Sequence, residues 1–239
     1  MQKNVEKMSF YYSPNFDVKK RRPSEIKYII LHYTGMASDF AAIKKLSSAR
    51  SKVSCHYYLK KNGNIINMVP DLYISWHAGI SSWKKDNFLN SKSIGIEISN
   101  PGHENGYSNF PKIQIKSLIK LLKKLKKKFN IKNQHILGHS DIAPLRKKDP
   151  GEKFPWEFLS KNKISFWHKV TRNNCKEFRN INFKNKDLFF KLLFNFGYMR
   201  TTIPKEKNKI VKTFQRRFRP NLINGIIDRE CYEILKSLL

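Results

Sequence analysis

Three short apolar runs constrain this chain more than anything else in it: KYIILH at 27–32, SIGIEIS at 93–99 and QHILGH at 134–139. Each has the length and composition of a buried strand rather than a helix. Each also carries a residue that is costly to bury, His32 at the end of the first, Glu97 inside the second and His139 at the end of the third. Between the second and third runs, Ile115, Leu118, Ile119, Leu122, Leu125 and Phe129 fall at helical spacing with lysines on the opposite face. SCHYYLKKNGNIINMV, 54–69, alternates on either side of Asn62-Gly63, a strong hairpin signal. Ser38 is placed to cap a helix running to about Ala49. Strands with interspersed helices predict an α/β fold, a mixed central sheet flanked by helices.

The flanks read differently. Residues 1–25 are polar, basic and broken by Pro14 and Pro23, the pattern of a loop-like leader. After Trp156 the composition shifts: 157–181 is polar and weakly periodic, a linker, and 182–239 holds two or three short helical stretches. Their apolar set, which includes Leu188, Leu192, Leu193, Phe196, Ile210, Phe214, Phe218, Ile227 and Leu235, predicts a small helical unit. The N-terminus shows no apolar signal region and no cysteine for a lipid anchor, and no run spans a membrane, so the chain reads as cytoplasmic as encoded.

The net charge of +30, from 48 basic and 18 acidic residues, would suit a polyanionic partner. The lysines are scattered, however, and rise together with Asn, Ile and Phe, as in a genome rich in A and T. No nucleic-acid recognition motif accompanies them, and specific nucleic-acid binding is not expected. Cys55, Cys175 and Cys231 lie far apart and match neither a disulfide framework nor a metal-ligand spacing. Cys55 and His56 are sequence neighbours on an expected strand, so they point to opposite faces and make a poor thiol dyad.

His32 and His139 end strands expected to lie side by side, so their imidazoles can converge. Asp149 follows in RKKDPG, where Pro150 and Gly151 impose a turn able to fold the carboxylate back toward His139. Two imidazoles and one carboxylate suit a catalytic zinc whose fourth position is left to water. Hydrolysis at such a zinc further needs a proton acceptor and a positive group for a developing oxyanion, and Glu97 and Lys147 are the candidates. Lys147 lies two residues before Asp149, so both can face one cavity. Tyr33, Thr34 and Arg146 flank the ligands and are expected to touch substrate. Asp141 suits a turn or a contact behind His139 better than a metal bond. His56 and His77 are expected in structural or rim roles, and His103, His135 and His168 carry no signal.

These segments resemble the type 2 N-acetylmuramoyl-L-alanine amidases, a zinc-dependent family. The resemblance covers about residues 26–158 and rests on the strand-ending His32, Glu97 in GIE, and GHSDIAPLRKKDPG, with WHAG at 76–79 beside them. It implies one Zn2+ per chain held by His32, His139 and Asp149, with Glu97 accepting a proton and Lys147 stabilising the transition state. The implied substrate is peptidoglycan or a muropeptide, cut between N-acetylmuramic acid and L-alanine by a monomer.

KTFQRRFRPNLINGIIDRECYEIL, 212–235, resembles the three-helix peptidoglycan-binding domain type 1, although Asn224 and Cys231 replace its usual Asp and Thr. The expected organisation is a leader over 1–25, the amidase domain over 26–158, a linker over 159–181 and the peptidoglycan-binding-like domain over 182–239. The pairing of the two modules resembles the AmiD-like branch, whose members would be placed in the periplasm or at the outer membrane. The rival reading is a non-catalytic peptidoglycan-recognition protein, which loss of a zinc ligand would favour; no ligand is missing here.

Overall fold

The computed structural model describes residues 9–239, so the first eight residues of the expected leader lie outside the described residues. Its strands are β1 (Ser9–Phe10), β2 (Phe16–Asp17), β3 (Tyr28–Tyr33), β4 (Tyr57–Leu59), β5 (Ile65–Asn67), β6 (Ile74–Ser75), β7 (Ser82–Trp83), β8 (Asp86–Asn87), β9 (Ser93–Ile98) and β10 (Ile136–Gly138). Its helices are α1 (Asp39–Leu46), α2 (Lys112–Phe129), α3 (His139–Ile142), α4 (Trp156–Lys161), α5 (Arg172–Phe178), α6 (Lys186–Phe196), α7 (Pro204–Phe218) and α8 (Arg229–Leu238).

The main sheet has the order β1-β5-β4-β9-β3-β10. β3 runs parallel to both β9 and β10, β4 runs parallel to β9, and the Asn62-Gly63 hairpin makes β4 and β5 antiparallel. The sheet is therefore mixed, with the three predicted apolar runs side by side.

Alternation along the strands sorts residues between two layers. Ile29 and Leu31 of β3, with Ile94, Ile96 and Ile98 of β9, pack in one apolar cluster with Leu118, Leu122 and Leu125 of α2 and Trp156 and Leu159 of α4. The lysines of α2 point the other way, into solvent, which is why that helix reads as amphipathic. On the opposite face, Tyr28 and Ile30 of β3 and Leu137 of β10 join Phe189, Leu193, Phe214 and Phe218 of α6 and α7. Ala42 and Leu46 of α1 cover Tyr58 and Ile66 at the other end of that face.

Residues Ser93, Gly95 and Glu97 of β9 have the parity of this second face. In the register they lie beside Tyr28, Ile30 and His32. The interval between α1 and the C-terminal helices thus leaves the carboxyl ends of three parallel strands uncovered, where ligands bind in open α/β sheets.

Two local expectations differ. The strand expected through His139 stops at Gly138, because Asp141 Oδ2 accepts the Gly138 N–H at 2.7 Å and starts a one-turn helix with His139 as its first residue. α1 ends at Leu46 rather than near Ala49, its Ser38 Oγ accepting the Ala41 N–H at 3.1 Å as expected.

The expected leader is built into the structure from Ser9 onward: β1 pairs with β5, β2 pairs with β6, and Arg21 is buried. The Arg21 guanidinium donates through Nη1 and Nη2 to the carbonyls of Asp71, Tyr73, Asn90 and Ser93, while its buried Nε has no partner among the described residues. Residues 159–181 hold the end of α4 and all of α5, whose first turn is capped by Thr171. Cys55 and Cys231 are buried, and all three cysteines are free. Among the described residues, no helix is long and apolar enough to cross a membrane.

Candidate active site

β3 brings His32 to the uncovered strand ends, and β10 delivers His139 one position beyond its last residue. The third member is brought in by backbone pairing: the Ser140 N–H donates to the Asp149 carbonyl at 2.8 Å, stitching the DPG loop to the start of α3. Gly151 turns that loop at φ +86°, and an added Cβ would lie 2.3 Å from the Tyr107 hydroxyl, so no larger residue fits. That hydroxyl donates to the Pro150 carbonyl at 2.7 Å and fixes the turn.

The result is a tight triangle. His32 Nδ1 lies 2.9 Å from His139 Nδ1, and Asp149 Oδ2 lies 3.1 Å from each. All three residues are buried. A tetrahedral site with bonds of about 2.0 Å has ligand atoms about 3.3 Å apart, so the spacing fits one small divalent ion with modest expansion. The donor types fit as well. His139 Nε2 lies 3.0 Å from the Ala78 carbonyl, which can only accept, so the proton sits on Nε2 and Nδ1 presents a lone pair.

Electrostatics favour the ligand forms. Burial and the neighbouring His139 lower the His32 imidazole to about 4, with Asp149 offsetting part, and keep it neutral. Burial alone would push the Asp149 carboxyl up, but the adjacent His139 and His32 overcome this and hold it well below the usual carboxylate range.

These three residues line a cavity of about 410 Å³ that also takes in Glu97, Lys147, Tyr33, Thr34 and Arg146, so the structure brings all eight expected residues to one cleft. Glu97 sits directly beside His32 in the β3–β9 register. Its Oε2 is buried and has no hydrogen-bond partner among the described residues, an expensive arrangement for a structural carboxylate. Burial pushes this carboxyl well above the usual range, the Asp149 charge adds to the shift, and Lys147 and Lys45 offset part of it.

The other three are partly engaged. The Thr34 hydroxyl donates to the Asn100 carbonyl at 3.0 Å. Tyr33, its phenol raised to about 12 by burial, bonds His103 Nδ1 at 2.9 Å. Arg146 donates to the carbonyls of Ala78 and Ile80, bracing the loop that follows Trp76 and His77.

Sequence reading passed over several cavity residues. His103, which carried no signal, stands between Tyr33 and Glu152 and stacks on Tyr107 at 4.4 Å. Trp76, Lys45 and Lys148 also line the cleft. Lys148 adjoins Lys147 in the DPG loop, whereas His103, Trp76 and Lys45 come from separate parts of the chain that spacing cannot connect. WHAG was the one available clue to Trp76 and His77.

The family model described as N-acetylmuramoyl-L-alanine amidase matches residues 22–152. The chain is 34% identical to "N-acetylmuramoyl-L-alanine amidase AmiD" of Escherichia coli over 252 residues, covering 98% of this chain and 90% of that protein. The solved structure of E. coli AmiD with the substrate anhydro-N-acetylmuramic acid-L-Ala-D-gamma-Glu-L-Lys superposes with a TM-score of 0.80 at 32% identity, over 90% of this chain and 89% of that one. AmpDh3 of Pseudomonas aeruginosa in complex with anhydromuramic pentapeptide also gives a TM-score of 0.80, at 26% identity, over 99% of this chain and 96% of that one. On these similarities the chain belongs to the type 2 N-acetylmuramoyl-L-alanine amidase family, in its AmiD-like branch.

Proposed function

We propose that His32, His139 and Asp149 hold one zinc ion, and that the cleft hydrolyses the amide between N-acetylmuramic acid and L-alanine in peptidoglycan or muropeptides. The observation that carries this reading is the convergence of three ligand atoms beside a buried carboxylate that has no partner on one oxygen. Zinc bound there supplies a Lewis acid for the amide carbonyl and makes a water acidic enough to ionise near neutrality.

Glu97, which lines the cleft, accepts the proton of the attacking water. Its raised proton affinity suits that task, because an ordinary carboxylate is too weak a base at neutral pH. When the amide C–N bond breaks, the same carboxyl returns the proton to the departing amine of L-alanine. Lys147 on the cavity wall places a positive charge toward the amide oxygen as it becomes anionic. Tyr33, Thr34 and Arg146 form the rim against which the sugar and the stem peptide rest.

Anhydro-muramyl peptides are what the similar AmiD and AmpDh3 structures hold, which supports a muropeptide as occupant here. Residues 182–239 act as the peptidoglycan-binding-like unit, joined through 159–181 to the amidase domain over 26–158 and its leader. A monomer is the proposed working unit.

The test is digestion of purified peptidoglycan and of soluble anhydro-muropeptides, with and without a chelator, read by mass spectrometry. Chelator-sensitive release of stem peptides beginning with L-alanine is the expected result. The preferred substrate then distinguishes cytoplasmic work on recycled fragments from work on the wall. Cleavage that survives Glu97→Ala or Asp149→Ala overturns the assignment of those residues. No cleavage by a protein that binds zinc would leave the recognition-protein reading.

A further inference from the structure

Behind the ligand triangle lie two imidazoles that the reaction leaves unused. The ring centroids of His139, His32, His77 and His56 follow one another at 4.5, 5.1 and 5.8 Å, a continuous row through the protein interior. β9 is shaped to admit the third ring. A Cβ added at Gly95 would lie 2.3 Å from His77 Cγ, so the glycine in this buried strand is the space that the imidazole fills.

The hydrogen bonds along this row have a fixed direction. The Leu89 carbonyl can only accept, and Ser93 Oγ lies 2.5 Å from it, so the hydroxyl proton is spent on that bond. Ser93 Oγ therefore offers a lone pair to His77 Nε2 at 3.1 Å, and His77 carries its proton there. His77 Nδ1 is then an acceptor, and the atom 3.0 Å away is His32 Nε2, which must carry the proton of that ring. His32 Nδ1 is left bare, facing His139 Nδ1 and Asp149 Oδ2. The next residue along the same loop, Ala78, uses its carbonyl to impose the corresponding tautomer on His139. The loop itself is held by Asn90, whose Oδ1 accepts the N–H groups of His77 and Ala78 at 3.1 and 2.6 Å.

We propose that Ser93 and His77 are positioning residues that lock His32 in the tautomer a metal ion requires, the polarity being set by the Leu89 carbonyl. The proposal rests on His32 being a zinc ligand. Without the Ser93 hydroxyl, His77 Nε2–H has no acceptor, and the favoured arrangement reverses. His77 then donates from Nδ1 to His32 Nε2, and His32 donates from Nδ1 to Asp149, so zinc must undo two proton placements to bind.

The experiment compares wild type, Ser93→Ala and Ser93→Thr by two readouts. One is zinc affinity, from competition with a chromophoric chelator. The other is the side-chain 15N spectrum of the metal-free histidines, which separates Nδ1–H from Nε2–H rings. Ser93→Ala is expected to bind zinc 10–100-fold more weakly, the range found for partners of metal-bound histidines. Its His32 proton should move to Nδ1, and Ser93→Thr, which keeps the hydroxyl, should restore both. Unchanged affinity and an unchanged His32 tautomer in Ser93→Ala would overturn the proposal. A wild-type protein that takes up no zinc would overturn the metal reading instead, and the spectra would still decide the relay.

Discussion

Arg217 is the most informative residue to change outside the cleft, because it ties the C-terminal helices to the helix that begins at His139. Arg217 on α7 is 3% exposed and Asp141 on α3 is 1% exposed. Arg217 Nη1 bonds Asp141 Oδ2, Nη2 donates to the Ile136 carbonyl at 3.1 Å, and the guanidinium lies 4.0 Å from the Trp156 ring centroid. Arg217→Met keeps much of the side-chain volume and strands the carboxylate. Breaking a buried ion pair by removing one partner costs about 3–5 kcal/mol. Asp141 keeps the Gly138 N–H and the Tyr198 hydroxyl, at 2.7 and 2.8 Å, so the lower end, about 3 kcal/mol, is expected. For a chain of this size that corresponds to a fall in Tm of roughly 6–12 °C. The assay is urea unfolding followed by circular dichroism, with a chelator present so that metal binding does not contribute. Arg217→Met combined with Asp141→Asn should recover part of the loss, with a coupling of about 2 kcal/mol in the double-mutant cycle. A loss below about 1 kcal/mol, or additive effects, would refute the argument that this buried pair joins the two parts of the molecule.

Other consequences are as direct. Burial and the Arg21 charge lower the His56 imidazole to about 3, so the folded state holds it neutral. Its stabilising effect is complete above the ordinary value of about 6.5 and is lost as pH falls through the window down to about 3, roughly 2 kcal/mol of it by pH 5. His56→Gln should show a correspondingly shallower acid slope in urea titrations, and equal slopes would contradict the assignment. Gly95→Ala should cost about 1–3 kcal/mol through overpacking against His77 and should weaken zinc binding, both measurable on the purified protein. Glu97→Gln should lower kcat about 10²–10⁴-fold while zinc content by atomic emission stays the same, since Glu97 is not among the three converging ligands. Zinc at a hundred times its Kd should stabilise the fold by about 2.7 kcal/mol, and a melting curve indifferent to chelator would count against the site.

What could be read in advance follows from which interactions are local in sequence. The strands around His32, Glu97 and His139 were legible because burial on both faces forces near-continuous apolar runs, and an acid or imidazole in such a run stands out. α2 was legible because one face packs on the sheet while lysines cover the other. Asp149 could be tied to His139 because only a short turn-forming loop separates them.

The 9–25 segment gave no such signal. Its integration depends on short pairings with β5 and β6 and on one arginine meeting four carbonyls distant in sequence, and a single basic residue among many has no period to detect. The same holds for His77. Its partner Ser93 is an unremarkable residue at the start of a strand, and the carbonyl that orders the row belongs to Leu89, whose side chain is simply core. A backbone carbonyl leaves no mark in sequence, yet here it decides which nitrogen of His32 is free. The candidate ligand set was therefore visible as residue types, whereas the proton placement that would fit those types to a metal is a property of the assembled structure alone.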